Sequence, residues 1–276
     1  EAIDLRIKSG IERFVEGHEF QYGAKFYRIV KKVGEVMDTY VLVHGAWHTG
    51  DLLADVAETI RADGHAVYTP TLQGNNEGDD KSCGLGDAIQ SLVTFIEANN
   101  IQKCVLVGHS YGGMVITGAF DKLGGDRVKR LVFWNAFVPN PGESLNDMVP
   151  PHYVGLFDSI ANQDGSVLLP FPIWREAFIN DADADLAKSS YEKLNPHPYK
   201  TFTDPIELSM APAEMEVGKS YLVCQEDTAL PAGMPWHPRL SEKLGLFRLV
   251  SMPGSHESCF TKPALLGKKM IEAGRD

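Results

Sequence analysis

No run in this sequence approaches the ~18 consecutive apolar residues that a membrane-crossing helix needs, so no transmembrane segment is expected. Positive charge is scarce: 26 Lys and Arg stand against 37 Asp and Glu, a formal net charge of −11. That balance repels phosphates, so neither nucleic acid nor a membrane surface is an expected partner. Cysteines are few, at Cys83, Cys104, Cys224 and Cys259. Their spacing holds no Cys-x-x-Cys or Cys/His zinc pattern, and no metal is expected. Cys104 and Cys224 sit inside apolar runs, so the four read as free thiols of a cytoplasmic protein, two of them core filler. The opening EAIDLRIKSG has acids at Glu1 and Asp4 and no apolar core, which does not read as a secretory signal. No internal repeat or low-complexity tract is present.

What is present is a chain of 276 residues, 43% of them hydrophobic, ample for a full core. From Thr39 onward short apolar runs alternate with segments of helical spacing. TYVLVHG reads as a buried strand ending in glycine. DLLADVAETIRADG follows with apolar residues at Leu52, Leu53, Val56 and Ile60 and a stop at Gly64. HAVYTPTLQG (strand), LGDAIQSLVTFIEANN (helix), KCVLVGHS (strand), YGGMVITGAFDKLG (helix) and VKRLVFWNAFVP (strand) continue the pattern. Such alternation predicts a mostly parallel sheet with helices on both faces.

The pattern breaks between about Pro139 and Pro212, where prolines and aromatics are dense. Short helices are expected at Trp174–Asn180 and Asp183–Leu194, with no strand. Tyr153, Phe157, Phe171, Trp174 and Phe178 are too apolar to leave bare, so the segment reads as a lid rather than a surface excursion. Alternation resumes with GKSYLVCQED (strand), MPWHPRLSEKLG (helix), LFRLVSMPGSH (strand) and KPALLGKKMIEAG (helix). The expected organisation is therefore 1–36 as an N-terminal extension or leading strand pair, 37–138 and 213–276 as an α/β core, and 139–212 as an inserted lid.

The chemistry concentrates at Gly108-His109-Ser110-Tyr111-Gly112. Gly-x-Ser-x-Gly between a strand and a helix is the setting of a nucleophile elbow. Its tight turn strains the serine backbone, and the glycines remove Cβ atoms that would collide. A serine hydroxyl is a weak nucleophile until a base takes its proton. Of the nine histidines only His256 lies where the chain order Ser, Asp/Glu, His requires. His18, His65, His152 and His197 read as surface or lid residues. His44 and His109 read as structural, His237 as lying at a helix start, and His48 as a substrate contact near the mouth. The acid that orients the histidine is Asp227, with Glu226 second; the other place for it, beyond VFWNAF, holds the neutral Asn135. Two amide donors for an oxyanion are expected at Tyr111, after the nucleophile, and at Ala46, in the turn after the first core strand.

VLVHGAWHTG, VGHSYGGM, VCQEDTALP and MPGSHESCFTKP together resemble α/β-hydrolase-fold enzymes. The resemblance is nearer to a subgroup of plant methylesterases, hydroxynitrile lyases and bacterial pyrethroid-type carboxylesterases. It spans residues 38–275 and implies Ser110, Asp227 and His256 as a triad, with Ala46 and Tyr111 as the oxyanion hole. The lyases of this resemblance carry threonine where this chain has Gly45, and lysine where it has Glu257 after His256. An anionic side chain does not stabilise departing cyanide, so the lyase reading is weak.

The resulting expectation is a cofactor-free serine hydrolase that cleaves a carboxylic ester, or a lactone, of a small apolar or aromatic molecule. Trp47, His48, Met148, Trp174 and Phe178 are the candidate substrate-binding residues, with Phe171 and Met210 as further apolar candidates, and a homodimer is compatible with the sequence. The rival readings are a cofactor-free dioxygenase or C–C bond-cleaving enzyme of the same fold, the lyase, and a non-catalytic ligand receptor on a hydrolase scaffold.

Overall fold

The computed structural model describes residues 17–22, 25–30 and 38–276. The chain divides into two units, residues 1–37 and residues 38–276. In the first, strands β1 (Gly17–Tyr22) and β2 (Lys25–Val30) pair antiparallel, Gly17 opposite Val30 and Tyr22 opposite Lys25. The rest of the expected strand pair in the leading segment lies outside the described residues, as does the side chain of His18.

The second unit is built on a six-stranded sheet. Its strands are β3 (Thr39–Val43), β4 (Ala66–Tyr68), β5 (Cys104–His109), β6 (Val128–Trp134), β9 (Gly218–Cys224) and β10 (Arg248–Met252), in the order β10-β9-β6-β5-β3-β4. Every pairing is parallel. Parallel strands need crossovers, and helices supply them. Between β3 and β4 runs α1 (Ala54–Ala62), preceded by a 3-10 turn at Gly50–Leu53. Between β4 and β5 runs α2 (Leu85–Ala98), and between β5 and β6 runs α3 (Gly112–Arg127).

The strands are apolar on both faces because both are covered. Val41, Val43, Leu106, Leu131, Phe133 and Tyr221 pack with α2 and α3 residues such as Leu92 and Val115. Their alternate neighbours Tyr40, Leu42, Val105, Val107, Val132 and Leu222 pack with α1 and with the closing helix Pro263–Gly274. The period of two along each strand thus divides the core into two layers.

Two expectations for the core need correction. The strand expected in HAVYTPTLQG is only three residues long; Pro70, two residues past its end, cannot donate to a ladder. The helix expected in MPWHPRLSEKLG is a run of turns with a 3-10 turn at Ser241–Leu244. Pro235 and Pro238 remove the donors an α-helix would need there.

Residues 139–212 leave the sheet between β6 and β9. They form short helices, among them Pro151–Ile160, Phe171–Ile173, a π turn at Trp174–Phe178, and Ala184–Tyr191. Two-residue strands β7 (Ser166–Val167) and β8 (His197–Pro198) pair antiparallel in the segment expected to hold none. The carboxyl ends of β3, β5, β6, β9 and β10 all point to one edge of the sheet, where ligand sites of open α/β sheets form.

Candidate active site

β5 ends at His109 and α3 starts at Gly112, so Ser110 and Tyr111 make the turn between them. Ser110 has φ +53°, a left-handed conformation that non-glycine residues seldom adopt. A Cβ on Gly108 would sit 2.7 Å from the Gly112 carbonyl oxygen, and one on Gly112 would sit 2.8 Å from that of Val43. Only glycine fits either place. Ser110 N–H donates to the Trp134 carbonyl at 3.2 Å, and the Ser110 carbonyl accepts from Gly113 (3.0 Å) and Phe137 (3.1 Å). These bonds tie the strained residue to the end of β6 and to the first turn of α3, whose dipole favours negative charge at this end.

His256 follows β10, and Asp227 lies three residues past the end of β9. The Asp227 Oδ2 is 2.6 Å from His256 Nδ1, and both side chains are 1% exposed. Oδ2 also accepts from Asn135 Nδ2, and Oδ1 accepts the Ala229 N–H at 2.8 Å. Burial of His256 works against its charged form. The attraction and hydrogen bond of Asp227, helped by Glu257, outweigh it and hold the imidazole pKa above the ordinary histidine value. Glu226, the second choice from the sequence, has a half-exposed side chain 3.9 Å from Lys262 Nζ, turned to a different partner. The His256 loop is bound to the elbow through His109 Nε2, 3.0 Å from the His256 carbonyl oxygen.

A pocket opens beside Ser110. Ala46, Tyr111 and Trp47 form part of its wall, and Phe178, Phe157 and Trp236 are among the rings that close it. Among the described residues no acceptor takes the backbone N–H of Ala46 or of Tyr111. Two unpaired donors therefore stand at a wall that also holds a serine. Among the described residues, no charged side chain lines the cavity.

Of the expected substrate contacts, Trp47 and Phe178 stand on this wall, while His48, Trp174 and Met148 do not. His48 is turned into the protein, with Nε2 2.9 Å from Glu257 Oε2 and Nδ1 2.7 Å from the Ala46 carbonyl oxygen. Trp174 is fully buried, its indole N–H donating to the Ala187 carbonyl at 3.1 Å. Met148 is buried with its sulfur 3.6 Å from Lys243 Nζ. Each is spent on packing inside the 139–212 segment or against its neighbours. Of the further apolar candidates, Phe171 packs on the Tyr191 ring and Met210 is exposed; neither lines the cavity.

Two residues at the site were missed. Asn135, at the tip of β6 with φ +36°, accepts the Cys224 N–H on Oδ1 at 2.7 Å while donating to Asp227. The sequence marked the position but only as one unable to supply an acid. Trp236 stacks on the His256 ring with centroids 5.1 Å apart and lines the cavity. The false helix over 234–245 hid it.

The remaining histidines are mostly internal. His44 Nδ1 is bonded to the Gly45 carbonyl at 2.8 Å and Nε2 accepts the Leu72 N–H at 3.0 Å; burial lowers its pKa to about 4. His65 and His197, expected at the surface or lid, are both buried: His65 packs edge-on to Tyr40, and His197 Nε2 is 2.8 Å from Thr201 Oγ1. Metal-ligand types converge in two overlapping groups among the described residues, His48 with Glu257 and Cys259, and His109 with His256 and Glu257. In the first, His48 and Glu257 are already bonded to each other; in the second, His256 Nδ1 is already bonded to Asp227. The four thiols are free and buried, and burial pushes those of Cys104 and Cys224 up to about 12.

A strained serine, a buried imidazole–carboxylate pair and two unpaired amides are the parts that acyl transfer requires. The model of the alpha/beta hydrolase family matches residues 40–266. The carbendazim hydrolyzing esterase of Nocardioides sp. (strain SG-4G) is 30% identical over 249 residues, which cover 86% of this chain and 100% of that protein. Methylesterase 2 of Arabidopsis thaliana is 27% identical over 222 residues, 69% of this chain and 79% of that one. Among solved structures, an extracellular alpha/beta-hydrolase from a Paenibacillus species, described as sharing structural and functional homology with tobacco salicylic acid binding protein 2, has a TM-score of 0.83. It is 33% identical and covers 87% of this chain and 100% of its own.

Proposed function

The chain belongs to the alpha/beta hydrolase family, and from that membership and the site geometry we propose that it is a serine esterase. The observation that carries the reading is the buried Asp227–His256 pair, 2.6 Å apart, bound to the same elbow that strains Ser110. In the proposed reaction His256 takes the proton of Ser110 as the hydroxyl attacks the ester carbonyl. The Ala46 and Tyr111 amides receive the oxyanion. His256 then protonates the leaving alcohol, and a water deprotonated by the same ring releases the acid from the acyl-enzyme. Asp227 holds the Nδ1–H tautomer and stabilises the imidazolium, while Asn135 and the Ala229 amide hold Asp227.

The uncharged, largely aromatic wall supports a neutral substrate with an apolar or aromatic group. Leu145, Val149, Tyr153, Phe157, Phe178 and Phe202 all come from residues 139–212, which supports their reading as a lid. The four free thiols suit a reducing compartment such as the cytoplasm. The test is hydrolysis of a panel of p-nitrophenyl esters, lactones and aryl methyl esters by wild type and Ser110→Ala. Turnover by wild type, lowered at least about a thousandfold in the variant, is the expected result. Near wild-type turnover by Ser110→Ala would sink the mechanism.

A further inference from the structure

The proposed reaction gives His48 no step, yet the structure spends both of its ring nitrogens. Nδ1 lies 2.7 Å from the Ala46 carbonyl oxygen, which can only accept, so that nitrogen carries a proton. Nε2 lies 2.9 Å from Glu257 Oε2, and the two side chains are 2% and 1% exposed. Glu257 is the neighbour of His256, and its own N–H donates to the Phe178 carbonyl at 3.3 Å. The Cys259 thiol reaches the same carboxylate oxygen at 3.7 Å. The rings of Phe260, Trp174 and His109 pack around the imidazole with centroids 5.8 to 5.9 Å away. One buried side chain thus spans the loop after β3 and the loop after β10.

The loop after β3 needs holding. Trp47 has φ +67°, a left-handed backbone that a bulky aromatic avoids unless its surroundings enforce it. Its carbonyl accepts the Asn195 N–H at 2.8 Å, and its own N–H is 3.4 Å from His197 Nδ1. The bond from His48 fixes the carbonyl of the peptide between Ala46 and Trp47. The Ala46 N–H belongs to the preceding Gly45–Ala46 peptide and shares only the Ala46 α-carbon with that carbonyl, so losing the bond would free the turn that carries the donor. Stability alone does not explain the pair, because apolar residues of similar volume replace buried ion pairs with little loss or some gain.

We infer that the His48–Glu257 pair clamps the loop bearing the Ala46 amide to the loop bearing His256, so that His48 is a positioning residue for the oxyanion hole. The inference rests on the esterase reading. His48 touches no reacting atom; it acts through the Ala46–Trp47 peptide and the backbone of Glu257.

The test is the double variant His48→Phe/Glu257→Leu, which removes both charges and leaves neither alone. A pair that only fills space predicts wild-type melting and wild-type kinetics. A clamp predicts a melting temperature near that of wild type, kcat lowered about 10- to 100-fold and KM unchanged within about threefold. Affinity for a trifluoromethyl ketone, which mimics the tetrahedral intermediate, falls with kcat. Glu257→Gln keeps the volume and removes the charge; it serves if the double variant does not fold, and kcat should fall about 3- to 10-fold at constant KM. Either variant with kcat within about twofold of wild type overturns the clamp. The same wild-type assays separate the two claims. Wild type that neither hydrolyses p-nitrophenyl esters nor binds the ketone overturns the esterase reading and the clamp with it. Wild type that does both, beside variants of unchanged kcat, overturns the clamp alone.

Discussion

Replacing Asp227 with Asn keeps the shape of the side chain and removes its charge. Three donors face the native carboxylate: His256 Nδ1 at 2.6 Å, Asn135 Nδ2, and the Ala229 N–H at 2.8 Å. An amide offers one oxygen and one NH₂, so at least one donor must then face another donor. Asn135 cannot relieve this by flipping, because its Oδ1 is already held by the Cys224 N–H at 2.7 Å. Where the amide NH₂ faces His256, the imidazole must move its proton to Nε2, which removes the lone pair that should face Ser110. Loss of tautomer control of this kind lowers turnover by roughly 10⁴, about 5 kcal/mol in the barrier. We therefore expect kcat/KM of Asp227→Asn to fall about 10³- to 10⁴-fold with the fold intact. Glu226→Gln is the control: that side chain is half exposed and 3.9 Å from Lys262, a contact of less than about 1 kcal/mol. The assay is p-nitrophenyl ester hydrolysis with circular dichroism melts of all three proteins. An Asp227→Asn enzyme retaining a tenth of wild-type kcat/KM, or a Glu226→Gln enzyme losing as much as Asp227→Asn, would refute the assignment.

Other perturbations follow from the same geometry. A Cβ on Gly45 would lie 2.9 Å from His109 Nδ1 and 3.2 Å from Ser110 Cβ, so Gly45→Thr should shift the Ala46 donor; kcat/KM should drop by up to about 10²-fold, and a change under twofold would count against it. Because Asp227 raises the His256 pKa, the acid limb of kcat/KM against pH should have its midpoint above 6.5; a midpoint at or below that value contradicts the pairing. Buried neutral His44, at about 4, binds its proton less readily than in the unfolded chain. Its stabilising effect is present above pH 6.5 and is lost as pH falls toward 4, about 3 kcal/mol over the window; His109 and His197, also lowered, add in the same direction. His48 and His256 are raised, so their stabilising effect is full below pH 6.5 and is lost as pH rises through their folded values. With three lowered against two raised, the urea midpoint should be lower at pH 4.5 than at pH 6.5, and an equal or higher midpoint would be the wrong result.

The sheet was legible because each strand from β3 to β10 in the core is a short apolar run bounded by glycine or a turn, and each crossover helix has its own period. Val41 and Leu42 illustrate the point, since adjacent apolar residues can only mean that both faces are covered. The tight turn at Ser110 was legible from its glycines, and the pairing of His256 with Asp227 from a chain order that sets an acid after β9 and a histidine after β10. The contacts made across the fold were not legible. His48 read as a substrate contact because it lies three residues past Gly45, yet its partner, Glu257, is 209 residues away. His197 read as a surface or lid residue, yet Thr201 and Trp47 lie within reach of its two ring nitrogens. Trp236 fell in a segment whose leucines mimic a helical period while Pro235 and Pro238 forbid the helix. Asn135 was visible only as a missing acid, because a supporting amide leaves no pattern in sequence.

In the proposed reaction Ser110 is a nucleophile activated by His256. Mass spectrometry of the intact protein and its peptides after treatment with a fluorophosphonate tests it most directly. One adduct per chain is expected, located on Ser110, absent from Ser110→Ala and much slower to form in His256→Ala. An unlabelled wild-type protein, or an adduct on another residue, would contradict it.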